Sequence, residues 1–185
     1  MGLVRLFFKG VSEIVASDEV GLLMLVNEER TRQVAIICDA AMVRQFSLRV
    51  GKAEITPILA PEVLWQVISR NLEMRFQVVI NDLVDGQYKT LLYMPDILQA
   101  IPIRASDGVL IAQIANLPIY MEEHLLMRQG MPFKESDVGV SVPVNVISNE
   151  MLQKALEKAV GEEDYEKASQ IRDELLRRGG KDYKP

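Results

Sequence analysis

The segment Ile103-Arg104-Ala105-Ser106-Asp107-Gly108 carries the polar side chains whose order could do chemistry. Ser106 and Asp107 precede the apolar run Val109-Leu110-Ile111-Ala112, where the first turn of a helix leaves backbone N–H groups without partners. Two uses fit that placement. The pair can form an ordinary N-cap, with Arg104 neutralising Asp107. Arg104 and the helix start can instead hold a phosphate, because a guanidinium and unpaired N–H groups both favour an anion. Spacing alone leaves both open. Asp39 and Glu62 stand at the starts of two other apolar helical runs and add carboxylates. Asp82 and Asp85 read as hairpin-end residues. His124, beside Glu122 and Glu123, reads as a surface residue, and Cys38, at an apolar strand end, as a buried, inert thiol. Trp65 and Tyr120 offer rings for stacking on a base, although Trp65 fits a core equally well.

The elements that must position these residues alternate without a regular strand–helix rhythm. Leu3–Phe8, Glu13–Ala16, Leu22–Val26 and Gln33–Cys38 read as strands, and Asn27-Glu28-Glu29-Arg30 as the polar turn joining the last two. Asp39 then caps a helix from Ala40 to Val50 that Gly51 ends. Pro61 suits the first turn of a helix running to Leu72, with Leu64, Val67, Ile68 and Leu72 at helical spacing. Met74, Phe76, Val78 and Ile80 alternate with mostly polar residues, Asp85-Gly86 makes a turn, and Tyr88–Met94 returns. Ile97–Arg104 is a strand that Pro102 confines to an edge or a bulge. Ser106 caps a third helix reaching Asn116, Ile119-Tyr120-Met121 adds a last short strand, and Glu122–Gln129 is a fourth helix closed by Gly130. The class is α+β, a mixed sheet with several packed helices, followed by a C-terminal antiparallel helical hairpin. The expected organisation is a domain over 1–131, a connector over 132–148 in which Val138, Val140, Val142, Val144 and Val146 suggest an extra strand, and the hairpin over 149–179.

Composition bounds what this domain does. A chain of 185 residues, 49% of them apolar, can bury one substantial core. Its longest uninterrupted apolar run, Gly21–Val26, is far shorter than the ~20 residues that span a bilayer, so no membrane partner is expected. The start, with Arg5 and Lys9 inside its apolar stretch, does not read as a signal peptide. One cysteine excludes an internal disulfide, and one histidine makes a His-rich zinc site implausible. A cytoplasmic location is expected. The net charge of −5 excludes a broad basic surface, so any DNA or RNA must be met locally or through a divalent cation.

The tail, Leu152 to Leu175, is a different kind of sequence. Leu152, Ala155, Leu156, Ala159 and Val160 form one stripe, and Tyr165, Ala168, Ile171 and Leu175 another, with Gly161 between them and Gly179-Gly180 beyond. Helices this short are marginal alone, so their stripes need a partner: a second copy, another protein or the main domain. Tyr165, Ala168, Arg172 and Asp173, within Glu163-Asp164-Tyr165-Glu166-Lys167-Ala168 and Ile171-Arg172-Asp173-Glu174-Leu175, resemble the UVR motif of the bacterial excision-repair nuclease subunits. That resemblance implies a helical hairpin used for protein–protein contact, through residues 149–179. The apolar strands and the amphipathic stripes of the tail leave surface that wants a partner, another protein or the chain itself, so a homodimer or higher homo-oligomer is expected.

The segment Arg104–Gly108, followed by Pro118-Ile119, resembles the Arg-Pro-Ser-Asp-Ala motif of the bifunctional nuclease family, over roughly residues 3–130. The resemblance implies hydrolysis of DNA or RNA phosphodiesters with a divalent metal, Mg or Mn. Arg104, Ser106, Asp107 and Glu62 then take the catalytic places, and Asp107 and Asp39 the metal. Glu62 stands for the family's aspartate in Ala60-Pro61-Glu62, where the family has Thr-His-Asp. The family's Glu after the strand pair is Met42, the motif's proline is Ala105, and the aspartate ahead of it is Pro102. These departures keep a second reading open, a non-catalytic module that recruits a repair or stress-response partner through the hairpin.

Overall fold

The computed structural model describes residues 2–14, 17–133, 149–161 and 163–177. They divide between two compact units, the smaller of which contains the C-terminal hairpin. The larger is built on an eight-stranded sheet of β1 (Leu3–Ile14), β2 (Ser17–Asn27), β3 (Arg32–Asp39), β4 (Gln77–Val84), β5 (Gln87–Met94), β6 (Gln99–Arg104), β7 (Ile119–Glu122) and β8 (Met131–Pro132). The strand order is β6-β5-β4-β7-β1-β2-β3-β8. β4 runs parallel to β7, and β7 antiparallel to β1, so the sheet is mixed and the class is α+β. No helix among the described residues is long and apolar enough to cross a membrane.

Leu3–Phe8 and the segment beginning at Glu13 form one strand, not two. Gly10, Val11 and Ser12 stay in the ladder, and the register with β2 shifts at Lys9, between Phe8 and Gly10, a bulge that bends the strand instead of ending it. Val15 and Ala16 lie outside the described residues. The β2–β3 turn is made by Asn27, whose buried amide accepts from Thr31 N and Arg32 N, both at 2.9 Å, and donates to Thr31 Oγ1. Asp85 and Gly86 both have positive φ, 51° and 73°, as a two-residue hairpin turn requires. β4 starts at Gln77, after Met74 and Phe76, because Arg75 N donates to the Asp96 carboxylate at 2.7 Å instead of to a ladder. Pro102 lies in the edge strand β6, where its missing N–H costs nothing.

Two helices start next to the strands that matter for function, α1 (Ala40–Val50) and α3 (Ala105–Ala115). Gly108 lets α3 lie close on the sheet: a methyl group there would stand 3.2 Å from Val78 Cγ1 and 3.3 Å from Thr90 Cγ2. The short strand expected at Ile119-Tyr120-Met121 is present as β7, Ile119–Glu122, and it lies at the centre of the sheet, flanked by β4 and β1. Its Ile119 and Met121 are buried with Leu6, Val78 and Ile80. α4 (Glu123–Gln129) follows β7, and His124 on it is exposed. The amphipathic helix α2 (Ala60–Asn71) buries none of its residues, and Leu64 and Val67 stand more than half exposed. Trp65, half-buried, meets Phe76 edge-on at 5.5 Å.

The smaller unit contains α5 (Asn149–Gly161) and α6 (Tyr165–Arg177). Leu152, Leu156 and Ala159 of one helix bury against Ala168, Ile171 and Leu175 of the other. Val160 and Tyr165, expected in these stripes, are exposed at 52% and 68%, because they fall off the shared face. The valine alternation of 138–146 and Gly179-Gly180 lie outside the described residues. Since the buried residues of the hairpin form a cluster of their own, a chain ending at residue 148 is expected to keep a single cooperative thermal transition by calorimetry. Loss of cooperativity in that truncated chain would count against a self-contained core.

Candidate functional site

The polar centre lies where α1 and α3 begin. Asp39 closes β3 and holds the N-cap position of α1: its Oδ1 accepts from Met42 N at 2.8 Å, satisfying one of the helix's free donors. Its other oxygen, Oδ2, accepts from Arg104 Nη1 at 2.9 Å. Arg104 closes β6 and stands at the N-cap position of α3. Its Nε and Nη2 donate to Asp107 Oδ2 and Oδ1 at 2.9 and 3.2 Å, a two-pronged fork. One guanidinium therefore bridges two carboxylates that are distant in sequence.

All three side chains are open to solvent, with exposures of 56% for Arg104, 50% for Asp39 and 42% for Asp107. The Met42 N–H, and after it Arg104, hold the Asp39 carboxyl below its ordinary range. Asp107 first, then Asp39, raise the Arg104 guanidinium still further above its ordinary value. One guanidinium facing two carboxylates leaves the trio with one formal net negative charge, opposed by the positive ends of two helices.

Ser106 does not cap α3. The helix begins one residue earlier, at Ala105, so Arg104 takes the cap position and Ser106 falls inside the first turn, where it is 2% exposed. Glu62, in the first turn of α2, is paired with Arg49 and not with Arg104: Arg49 Nη2 donates to Glu62 Oε2 at 2.8 Å. Sequence reasoning missed Arg49; its place in the last turn of α1, where a cation is favoured, was the available signal. Met42, in the place of the family glutamate, is core at 5% exposure. Among the described residues, no three of His, Cys, Asp or Glu gather as a metal-holding group. Cys38 is buried next to this centre, and burial, with Asp39 adding to it, pushes its thiol up to about 11, so it is no nucleophile at neutral pH.

Residues 23–134 match the bifunctional nuclease domain and residues 150–177 the UvrB/uvrC motif. The first match covers more than half of the chain, which therefore belongs to the bifunctional nuclease domain family, with a UVR hairpin after the domain. The match begins within β2, later than the resemblance over 3–130 implied. No curated protein matches the chain closely enough to count as a relative.

The two bonds of Asp39 can be separated by substitution. Asp39→Ala, which removes the cap, is expected to cost about 0.5–2 kcal/mol, whereas Asp39→Asn keeps a capping oxygen and loses only the attraction to an exposed arginine. The Asp39 carboxyl is depressed in the folded chain, so its contribution is complete above the ordinary value of 3.8 and is lost as pH falls through the lower folded value. The stability gap between the parent and Asp39→Asn, measured by urea unfolding, should thus be constant from about pH 5 to about pH 7, as proton linkage requires, and should close in stronger acid. A gap that widens in acid contradicts this assignment.

Proposed function

We propose that the domain binds nucleic-acid backbone phosphate at the Arg104 cluster and hydrolyses DNA or RNA there with a divalent ion. The observation that supports this reading is the Arg104 fork, already held in the geometry that a phosphate accepts, where two helices begin. An incoming phosphate competes with Asp39 and Asp107 for the guanidinium, taking the two parallel N–H bonds that Asp107 now accepts. Both carboxylates are thereby freed. They are hard oxygen donors, and one or two carboxylates with phosphate oxygens are an ordinary set for Mg or Mn. The residues fit such an ion only together with substrate, since among the described residues no third ligand joins them. When bound, the ion would polarise the phosphoryl oxygen and activate water. Ser106, beneath the first turn of α3, and Glu62, held by Arg49, enter this reading as positioning residues.

A second reading has its own support. In the structure Arg104 is neutralised by its own two carboxylates, and the UVR hairpin exposes Val160, Tyr165 and Leu176, apolar side chains suited to a protein partner or a second copy. In that reading the module recruits a repair or stress-response partner and cleaves nothing. A cytoplasmic location is proposed with either role.

Cleavage of labelled single-stranded DNA and RNA with Mg or Mn, and with chelator, decides between them. The nuclease reading expects metal-dependent cleavage, reduced by about two orders of magnitude or more in Asp107→Asn and Arg104→Ala, the loss typical of removing a charge-stabilising group. Binding without cleavage transfers the function to the second reading.

Self-association is proposed through α2, which exposes Val63, Leu64 and Val67, apolar side chains that a second copy of the same face would cover. Light scattering should give a dimer or larger for the parent chain and a monomer for Leu64→Glu. A monomeric parent at tens of micromolar, a range in which ~ micromolar contacts are populated, refutes it.

A further inference from the structure

The opposite ends of α1 and α3 hold a second concavity, of about 660 Å³, within the size range of small-ligand pockets. Arg49 and Val50 of α1 and Gln113 and Ile114 of α3 line it, together with β1 and the segment joining α1 to α2. It contains neither Arg104 nor Asp107, and it shares with the reading above only the Arg49–Glu62 pair.

Its chemistry is mixed in a specific way. Three cations, Lys9, Arg49 and Lys52, line it against one carboxylate, Glu62. Arg49 and Glu62 neutralise each other at side-chain exposures of 11% and 12%, leaving the exposed Lys9 and Lys52 without a carboxylate among the lining residues, Lys9 Nζ lying 5.5 Å from the centre of the Phe133 ring. The negative ends of α1 and α3, about half a charge each, offset roughly one of the two positive charges. On a chain of net charge −5, a concavity of this sign draws anions locally. Lys52 is also held with φ at 50°, the left-handed region that glycine takes more easily, while the adjacent Gly51 has an ordinary φ of −75°.

One wall is aromatic. Phe8 is half-buried with its ring centroid 4.9 Å from that of the buried Phe46, and both line the cavity, giving a flat apolar face beside the cations. Two lining residues carry buried polar atoms without a hydrogen-bond partner among the described residues, Thr56 Oγ1 and Arg49 Nε, whereas Glu62 is taken by Arg49 Nη2. Burying such atoms unmatched is costly, and together they present a donor and a hydroxyl that both donates and accepts.

We propose that this cavity binds a small molecule joining a phosphate to a flat heterocycle, the class of a nucleoside monophosphate. The phosphate sits between Lys9 and Lys52, the ring lies on Phe8, and the polar edges of the sugar and base meet Thr56 Oγ1 and Arg49 Nε, with the Arg49–Glu62 pair left in place as a fixed wall. A bare anion would leave the aromatic wall and the orphaned atoms unused, and an uncharged nucleoside would leave both lysines unused.

Titration calorimetry on the full chain with AMP, GMP, CMP and UMP, with inorganic phosphate and adenosine as comparisons, tests this. At least one monophosphate should bind with a Kd below about 1 mM, and phosphate and adenosine should each bind at least about tenfold more weakly. The Lys9→Ala/Lys52→Ala double variant, both residues being exposed, should fold normally and lose about tenfold or more in affinity, whereas Arg104→Ala should bind as the parent does. Ala53→Trp, which fills the cavity, should abolish binding in a chain whose circular dichroism is unchanged; if that variant does not fold, the lysine pair decides alone. Absence of binding to the parent, equal affinity for phosphate alone or adenosine alone, unchanged affinity in the double lysine variant, or loss in Arg104→Ala would each overturn the proposal.

Discussion

The insertion of four residues, Ile119–Glu122, at the centre of the sheet is the constraint on which the rest of the domain depends. β7 pairs parallel with β4 through Val78–Ile80 and antiparallel with β1 through Leu3–Leu6. It alone joins the sheet's N-terminal strands β1–β3 to the later β4–β6. To reach that slot from the edge strand β6, the chain must cross back over β5 and β4, and α3 is the crossing. Gly108 permits the close approach, and a larger residue there would push against Val78 and Thr90.

The same path builds the polar centre. β3 and β6 are six strand spacings apart in the order, roughly 29 Å in a flat sheet, which an arginine side chain cannot span. Asp39 and Arg104 nevertheless meet at 2.9 Å. The sheet is therefore curled, as its twist and the β1 bulge favour, and it brings the starts of α1 and α3 together. Because both helices begin at this centre, both also end together, and their C-terminal ends help line the cavity that holds Arg49, Glu62 and the two rim lysines. One geometric decision, the curl, creates both concentrations of charge.

Their energetics differ. At the helix starts the ion pairs are open to solvent, so they contribute little to stability and exchange readily for another anion. At the helix ends Arg49 and Glu62 are nearly enclosed, where removing either partner would leave a buried charge and cost far more. The first arrangement suits a contact made and released with substrate; the second suits a fixed wall.

Local chemistry was legible from residue types. The Asp39 cap and the bounds of α1 followed from an aspartate before a helical run, the β4–β5 turn from Asp85-Gly86, and the edge position of β6 from Pro102, because each effect acts within a few residues. The faces of α5 and α6 were also legible, except at Val160 and Tyr165, where the interhelical packing chose a narrower stripe. The cap of α3 was misjudged by two residues, Ser106 for Arg104, since a serine's preference for capping yielded to the burial of Ser106 within the first turn. What the sequence could not show was everything set by strand order: that Ile119–Glu122 is central, that Asp39 shares Arg104 with Asp107, and that Glu62 is taken by Arg49. Those pairings join residues 13 to 65 positions apart, and only the curl of the sheet and the crossing of α3 decide which of them meet.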